Sequence, residues 1–391
     1  MKRTLAVISG VLLHLAVGSV YAWSVLTYPI VNEVGWSFND IATVFGCTIA
    51  ALGFSAAMLG KRVKEWGSLK SCRIAVVLFL SGMLLTSVAI DQEILLLLYI
   101  AYGLLVGVGT GIAYLTPIPI LITYFPNKKG TITGLVVMGF GLSSVLASYG
   151  YHELIEVVGI DYAIGCAGLF FVLLMLPSCF LLKPKEDIQE EPGIEQIKQT
   201  TEVWHTRDFR LLWIIFFINI FVGVAVISAL SPMLINLFDM TMLETTAIVA
   251  IAGIVNGVSR IFWSYISDQI GRPLTFLTMI TLELVALCSM IYWFDKDIFI
   301  DCALVLISCY GGMFACMPGY LSDIFGTKRL SAILGYMLTA WAVAGFFGPK
   351  ALVLSYDLTG GYGHFFYLAA ILMCLSMCLT YIESEKTVLK V

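Results

Sequence analysis

Arg260 is the residue with the most chemistry to explain. It sits in Asn256-Gly-Val-Ser-Arg260-Ile-Phe-Trp263, and no other charged side chain occurs between Glu244 and Asp268. An arginine at the middle of an apolar helix in a bilayer costs about 2.5–3.5 kcal/mol on insertion scales, so it must face a polar cavity or a partner. Its guanidinium stays charged and offers a planar fork that matches a carboxylate. It could therefore anchor an anionic ligand, or it could be paired with a buried acid, for which Glu283 is the candidate. Asn256 lies one helical turn before Arg260, shares its face and could hydrogen-bond the anion. His14 lies two turns before Tyr21 and titrates near neutrality, so it could relay a proton or simply pack; Glu283 is the other candidate relay.

Other chemistries find no footing. The sequence has no HExxH, no paired acids on one helix face and no Ser/His/Asp set at workable depth, so no enzyme is expected. Its 10 cysteines include no CxxC and no Cys/His cluster at metal spacing. Cys302, Cys309 and Cys316 share one helix face as small packing residues, and neither a metal nor another cofactor is expected. Gly107-Val-Gly109-Thr-Gly111 lacks the strand–loop–helix setting of a nucleotide loop.

The elements that hold these residues follow from composition. Of 391 residues 60% are hydrophobic and only 12% charged, about half the charged share of a soluble domain. So much apolar surface cannot be hidden in a soluble fold of this size, whereas a lipid bilayer accepts it. A net charge of −4 argues against nucleic acid as a partner. Apolar runs of about 20 residues or more predict an all-α membrane protein. Its twelve transmembrane helices fall near 5–30, 40–60, 72–91, 94–124, 130–151, 160–182, 209–238, 245–266, 274–294, 298–321, 331–355 and 363–382. The first run is too long for a signal peptide and reads as a retained span.

Lys2, Arg3, Lys61, Arg62, Lys64, Lys70, Arg73, Lys128, Lys129, Arg272, Lys328, Arg329, Lys386 and Lys390 all fall on one side of these spans. The opposite loops carry only Lys296 and Lys350 among many acids, which predicts cytoplasmic N- and C-termini in a multi-pass protein of the cell membrane. A charged, Pro-containing segment at 184–208 reads as a cytoplasmic linker between six-helix halves at 1–183 and 209–391. The halves echo each other. Phe125-Pro-Asn-Lys128-Lys129 answers Phe325-Gly-Thr-Lys328-Arg329, Pro117 answers Pro318, and Gly60–Gly67 answers Ser264–Arg272. Such duplication is the architecture of transporters that rock around a central site. Clustered glycines in the fourth and fifth helices would let backbones slide, and Pro117, Pro119 and Pro318 would bend theirs.

The turn Ser264-x-x-x-Asp268-x-x-Gly271-Arg272 resembles the G-x-x-x-D-x-x-G-R signature of the major facilitator superfamily, a gating loop. Its first-half copy has Lys64 where the acid is expected. More narrowly, the chain resembles the oxalate–formate antiporter branch. The motifs responsible are Gly18-Ser-Val-Tyr-Ala-Trp23, Gly109-Thr-Gly-Ile-Ala-Tyr114, Tyr124-Phe-Pro-Asn-Lys-Lys-Gly130, the Asn256–Trp263 segment and Ser322-Asp-Ile-Phe-Gly-Thr327. The resemblance implies the major facilitator fold and a secondary transporter in which Arg260 anchors the substrate carboxylate. It further implies an anion cavity lined by Tyr21, Tyr114, Phe140, Tyr310 and Phe314.

One departure matters. The family's oxalate carrier is expected to use a second cation, a lysine in the eleventh helix, and this chain has Trp341 there. Lys350 lies about 13 Å further along that helix. With one fixed charge, the expected substrate is a small monocarboxylate such as pyruvate, lactate or formate, taken up with a proton by a monomer. A dicarboxylate–monocarboxylate antiporter is the alternative within the class, and a transporter-like membrane sensor the alternative outside it. The short 184–208 linker and 383–391 tail are small for a sensor's output domain.

Overall fold

The structure is a computed structural model that describes residues 2–125, 129–183, 202–326 and 330–388. Those residues are helical throughout, with no strand among them. Eleven helical segments are long and apolar enough to cross a membrane. We number them in chain order: α1 Arg3–Val34, α2 Phe38–Gly60, α3 Glu65–Asp91 and α4 Leu95–Leu115. Ile132–Leu181 is 50 residues long and bends at Gly159 (φ 77°, ψ 166°), so it forms two spans, α5 at 132–158 and α6 at 160–181. The second set is α7 Arg207–Phe238, α8 Met242–Ile270, α9 Arg272–Tyr292, α10 Lys296–Phe325, α11 Ile333–Thr359 and α12 Gly363–Glu383. Twelve spans result.

Several helix starts are written locally. Ser37 and Asp40 form a capping box at α2, and Thr241 and Glu244 form one at α8; each satisfies backbone N–H groups that a helix start leaves open. Asp295 accepts from two backbone N–H groups at the start of α10. Gly67 (φ 71°, ψ 169°), near the start of α3, and Gly271 (φ 86°, ψ 158°), between α8 and α9, take nearly the same positive-φ conformation. A side chain would be strained there, and the shared geometry marks these turns as copies of one another.

The structure corrects some expected limits. The first helix extends to Val34 and tightens to a 3₁₀ turn at Gly18–Ala22. The fourth carries a π-helical stretch over Tyr99–Val106 and breaks before Pro117, after which Pro117–Tyr124 forms a separate helix. That break fits a proline's missing N–H. α5 runs on past the expected end at 151 to the Gly159 bend. In the expected 184–208 linker, Glu202–His205 already forms a 3₁₀ turn and Thr206 caps α7. Linker residues 184–201 lie outside the described residues, as do the expected loop cations Lys128, Lys328, Arg329 and Lys390.

Close backbone approaches between the halves occur at two helix pairs. On α2, a Cβ added at Gly53 would come within 2.8 Å of the Ala342 side chain on α11. On α5, one added at Gly141 would come within 2.7 Å of the Gly257 backbone on α8. Small residues let helix backbones meet where lipid offers no hydrophobic drive. The outer faces are apolar: Met58, Val157, Leu173 and Ile371 are all more than half exposed. Together with the spans, those faces make this a multi-pass membrane protein.

Candidate functional site

The site is built where α1, α4 and α5 of the first half face α8, α10 and α11 of the second. Arg260 is 1% exposed, and no described carboxylate lies within ion-pair distance of it. Asn256 holds it in place: its Oδ1 accepts from Arg260 Nη2 at 3.1 Å, while its Nδ2 donates to the Ile307 carbonyl of α10 at 3.2 Å. The amide is thus committed at both ends and acts as a strut between α8 and α10. Phe314 lies against the guanidinium, with its ring centroid 5.5 Å from Cζ, a cation–π contact. Arg260 Nε has no partner.

Around this charge the aromatic residues close a ring. Tyr21 on α1 packs against Phe140 on α5 at 4.9 Å between centroids, and Phe140 meets Trp341 on α11 at 6.1 Å. Trp341 meets Phe314 at 4.7 Å, Phe314 meets Tyr310 at 5.9 Å, and Tyr310 returns to Tyr21 at 6.1 Å. Tyr114 on α4 fills the inner wall against both Phe140 and Trp341, at 5.8 and 5.7 Å. The hydroxyls of Tyr21 and Tyr310 hydrogen-bond to each other across the halves. Each half therefore supplies three rings: Tyr21, Tyr114 and Phe140 against Tyr310, Phe314 and Trp341. The five aromatic residues expected to line an anion cavity come together here with Arg260, Asn256 and Trp341.

The ring is shut on both sides. One recess beyond it is lined by Trp23, Thr27, Ser228, Pro232 and Tyr356, and a second by Thr133, Val137, Phe216, Pro318 and Leu338. Tyr114 and Phe314 belong to both the ring and the second recess, so they separate the two. Phe216 on α7 packs on Phe314 at 5.1 Å and was not foreseen from sequence; nothing in its own apolar run distinguishes it. A further cross-half link was also not foreseen. Tyr28 on α1 donates to the Asn236 side-chain oxygen on α7, and Asn236 donates to Tyr362 at 3.0 Å.

The two proton-relay candidates are placed very differently. His14 is fully buried beside the ring, 5.0 Å from Tyr114 and 6.5 Å from Phe140 between ring centroids. Its Nδ1 lies 3.1 Å from the Gly10 carbonyl, to which it can only donate, and that leaves Nε2 without a partner. Glu283 does not meet Arg260. It is buried inside the second half and accepts from Asn219 Nδ2 of α7 at 2.6 Å.

The expected gating loop is assembled at the end of α8. Arg272 binds Asp268 at 2.7 Å, Asp323 of α10 at 3.2 Å and Ser267 at 2.9 Å, and Gly271 makes the turn. The result ties α8, α9 and α10 together. Lys350 is remote from the ring and lies over Phe346, 6.0 Å from its centroid.

Comparison with known proteins gives consistent results. The family model described as Major Facilitator Superfamily matches residues 7–349. The oxalate:formate antiporter of Oxalobacter formigenes is 26% identical over 347 residues, 88% of this chain and 82% of that protein. Apicoplast pyruvate carrier 1 of Toxoplasma gondii is 22% identical over 85% of this chain and 80% of its own length. Among solved structures, a bacterial homologue of the human lysosomal transporter Spinster, inward-facing and unoccupied, superposes with a TM-score of 0.69. It covers 98% of this chain and 97% of its own at 14% identity, a likeness of fold alone.

Proposed function

This chain belongs to the Major Facilitator Superfamily of transporters, and from that membership we propose that it is a proton-coupled carrier of small monocarboxylate anions such as pyruvate, lactate or formate. One observation carries the reading: a buried guanidinium without a carboxylate partner among the described residues, with rings from both halves around it. Rings exclude water, and in the resulting low dielectric the attraction between Arg260 and a carboxylate is strong. An anion seated there takes a charged hydrogen bond from the second half while touching the wall of the first. Release of Tyr21 from Tyr310 on one side, or separation of Tyr114 from Trp341 on the other, opens the site by alternating access.

A cage with one fixed cation balances one negative charge. A dianion would leave a carboxylate unneutralised against Trp341, in the place where a second cation would be needed. His14 supports proton coupling because its free Nε2 lies beside the cage and can take up a proton without breaking its bond to Gly10. The names of the similar proteins, an oxalate:formate antiporter and a pyruvate carrier, support a small carboxylate as cargo. The first of them also favours a second reading, exchange of a dicarboxylate for a monocarboxylate. In the proposed topology a monomer lies in the cell membrane with both termini cytoplasmic, as the Lys and Arg distribution supports.

The test is uptake of radiolabelled pyruvate into liposomes containing the purified protein, with and without an inward proton gradient. Gradient-stimulated uptake that lactate and formate inhibit is the expected result. Oxalate–formate exchange without pyruvate uptake would overturn it in favour of the second reading.

A further inference from the structure

Two buried donors in the cage have no acceptor. Arg260 Nε is one, and the indole Nε1 of Trp341 is the other. Trp341 is 1% exposed, and its nitrogen can only donate. Buried donors in folded proteins are nearly always matched, so one left unmatched among these rings points to an acceptor carried by the ligand. The other polar groups facing the cage leave Trp341 distinct. One of the Tyr21 and Tyr310 hydroxyls donates to the other, so both already bond across the halves, and Asn256 is bonded at both ends. Both unmatched donors belong to side chains that pack on Phe314.

We infer that Trp341 is a specificity-determining residue whose indole N–H donates to an oxygen on the carbon next to the substrate carboxylate, selecting 2-oxo and 2-hydroxy acids over unsubstituted acids of the same length. The inference rests on the monocarboxylate reading and adds the second point of contact. A charged donor takes the carboxylate, and a neutral donor takes the carbonyl or hydroxyl oxygen. That division suits the charges: the neutral N–H meets a neutral acceptor, and the single cation meets the single anion. An acid without that oxygen leaves the indole donor unmatched on binding. A site built to hydrogen-bond a substrate oxygen rejects the analogue that lacks it for this reason.

Competition in liposomes tests the assignment, with Arg260-dependent uptake of radiolabelled pyruvate as the signal and lactate or propionate as competitor. In the unaltered protein, lactate is expected to inhibit at concentrations about tenfold or more below those of propionate. Trp341→Phe keeps a ring in the cage and removes the N–H; it is expected to bring the two competitors within about twofold. A spectroscopic arm covers poor folding of the variant. In isotope-labelled unaltered protein, one indole N–H resonance is expected to shift with pyruvate and not with propionate. Equal inhibition by lactate and propionate in the unaltered protein would overturn the inference and leave the monocarboxylate reading standing. A preference undiminished in a folded Trp341→Phe protein, or no pyruvate-specific indole shift, would do the same. Oxalate–formate exchange without uptake of any of these acids would remove the monocarboxylate reading and the inference with it.

Discussion

Arg260 and Glu283 are both ionisable, both buried and both in the second half of the chain, yet their surroundings differ in every respect that bears on transport. Arg260 stands on the surface where the halves meet, with rings from both around it and one N–H unmatched. Glu283 stands inside one half, bonded to Asn219 on the neighbouring α7. Burial of charge alone therefore does not mark a transport site. What distinguishes Arg260 is that it keeps a donor unmatched among rings drawn from both halves.

Removal of Arg260 sharpens the contrast most. Arg260→Ala is expected to lower monocarboxylate uptake roughly 100-fold, the scale of losing one partner of a buried charge pair. Arg260→Lys is expected to recover little, because an ammonium lacks the planar fork and would not bridge Asn256 and the anion together. Initial rates of pyruvate uptake measure both. Retention of full uptake in Arg260→Ala would erase the distinction between the two buried charges.

The contact between the halves offers a smaller effect of another kind. A Cβ at Gly141 would come within 2.8 Å of Asn256 Oδ1 and 2.7 Å of the Gly257 backbone. Gly141→Val is expected to hold α5 off α8, slow exchange about tenfold and displace the atom that positions Arg260. The same substitution at Gly150, where nothing lies within 4 Å, is the control and is expected to leave exchange unchanged. Paired exchange rates and melting temperatures separate a blocked transporter from an unfolded one.

Next in size is His14, the titratable group beside the cage. His14→Gln is expected to abolish stimulation by a proton gradient while pyruvate–pyruvate exchange stays within about threefold. Stimulation that survives intact would assign the proton to another group.

The sequence made one side of the comparison legible and left the other open. Arg260 is conspicuous because charge in an apolar run is costly, and the four-residue spacing of Tyr310 and Phe314 places both on one face of α10. Tyr21, Tyr114 and Phe140 are each ordinary in their own spans; only family resemblance brings them to the cage. The Glu283 partner was not legible, because Asn219 lies 64 residues away and on a different helix. Asn256 was expected to face the anion, but its amide reaches the α10 backbone instead, a contact set by helix packing and invisible in local spacing. Helix limits failed where the signal was weakest. α5 continues past 151 because its acidic end is still helical, and the chain turns only where Gly159 permits φ 77°.

The smallest expected effect falls on Glu283. Its Oε2 and the Asn219 Oδ1 are both buried without a partner, and both are acceptors when the carboxyl is ionised. Either a proton on Glu283 or an amide in its place supplies a donor for this pair. Glu283→Gln is thus expected to keep exchange within about twofold and to leave the melting temperature unchanged or raised. Asn219→Ala removes the one donor bonded to Glu283 among the described residues and leaves the carboxyl unsatisfied, at a cost of about 1–3 kcal/mol in stability with little change in affinity. Thermal melts and exchange rates on the same preparations decide the matter. Should Glu283→Gln depress exchange as far as Arg260→Ala does, Glu283 would be part of the transport path, and position between the halves would no longer be what separates a working buried charge from a packing one.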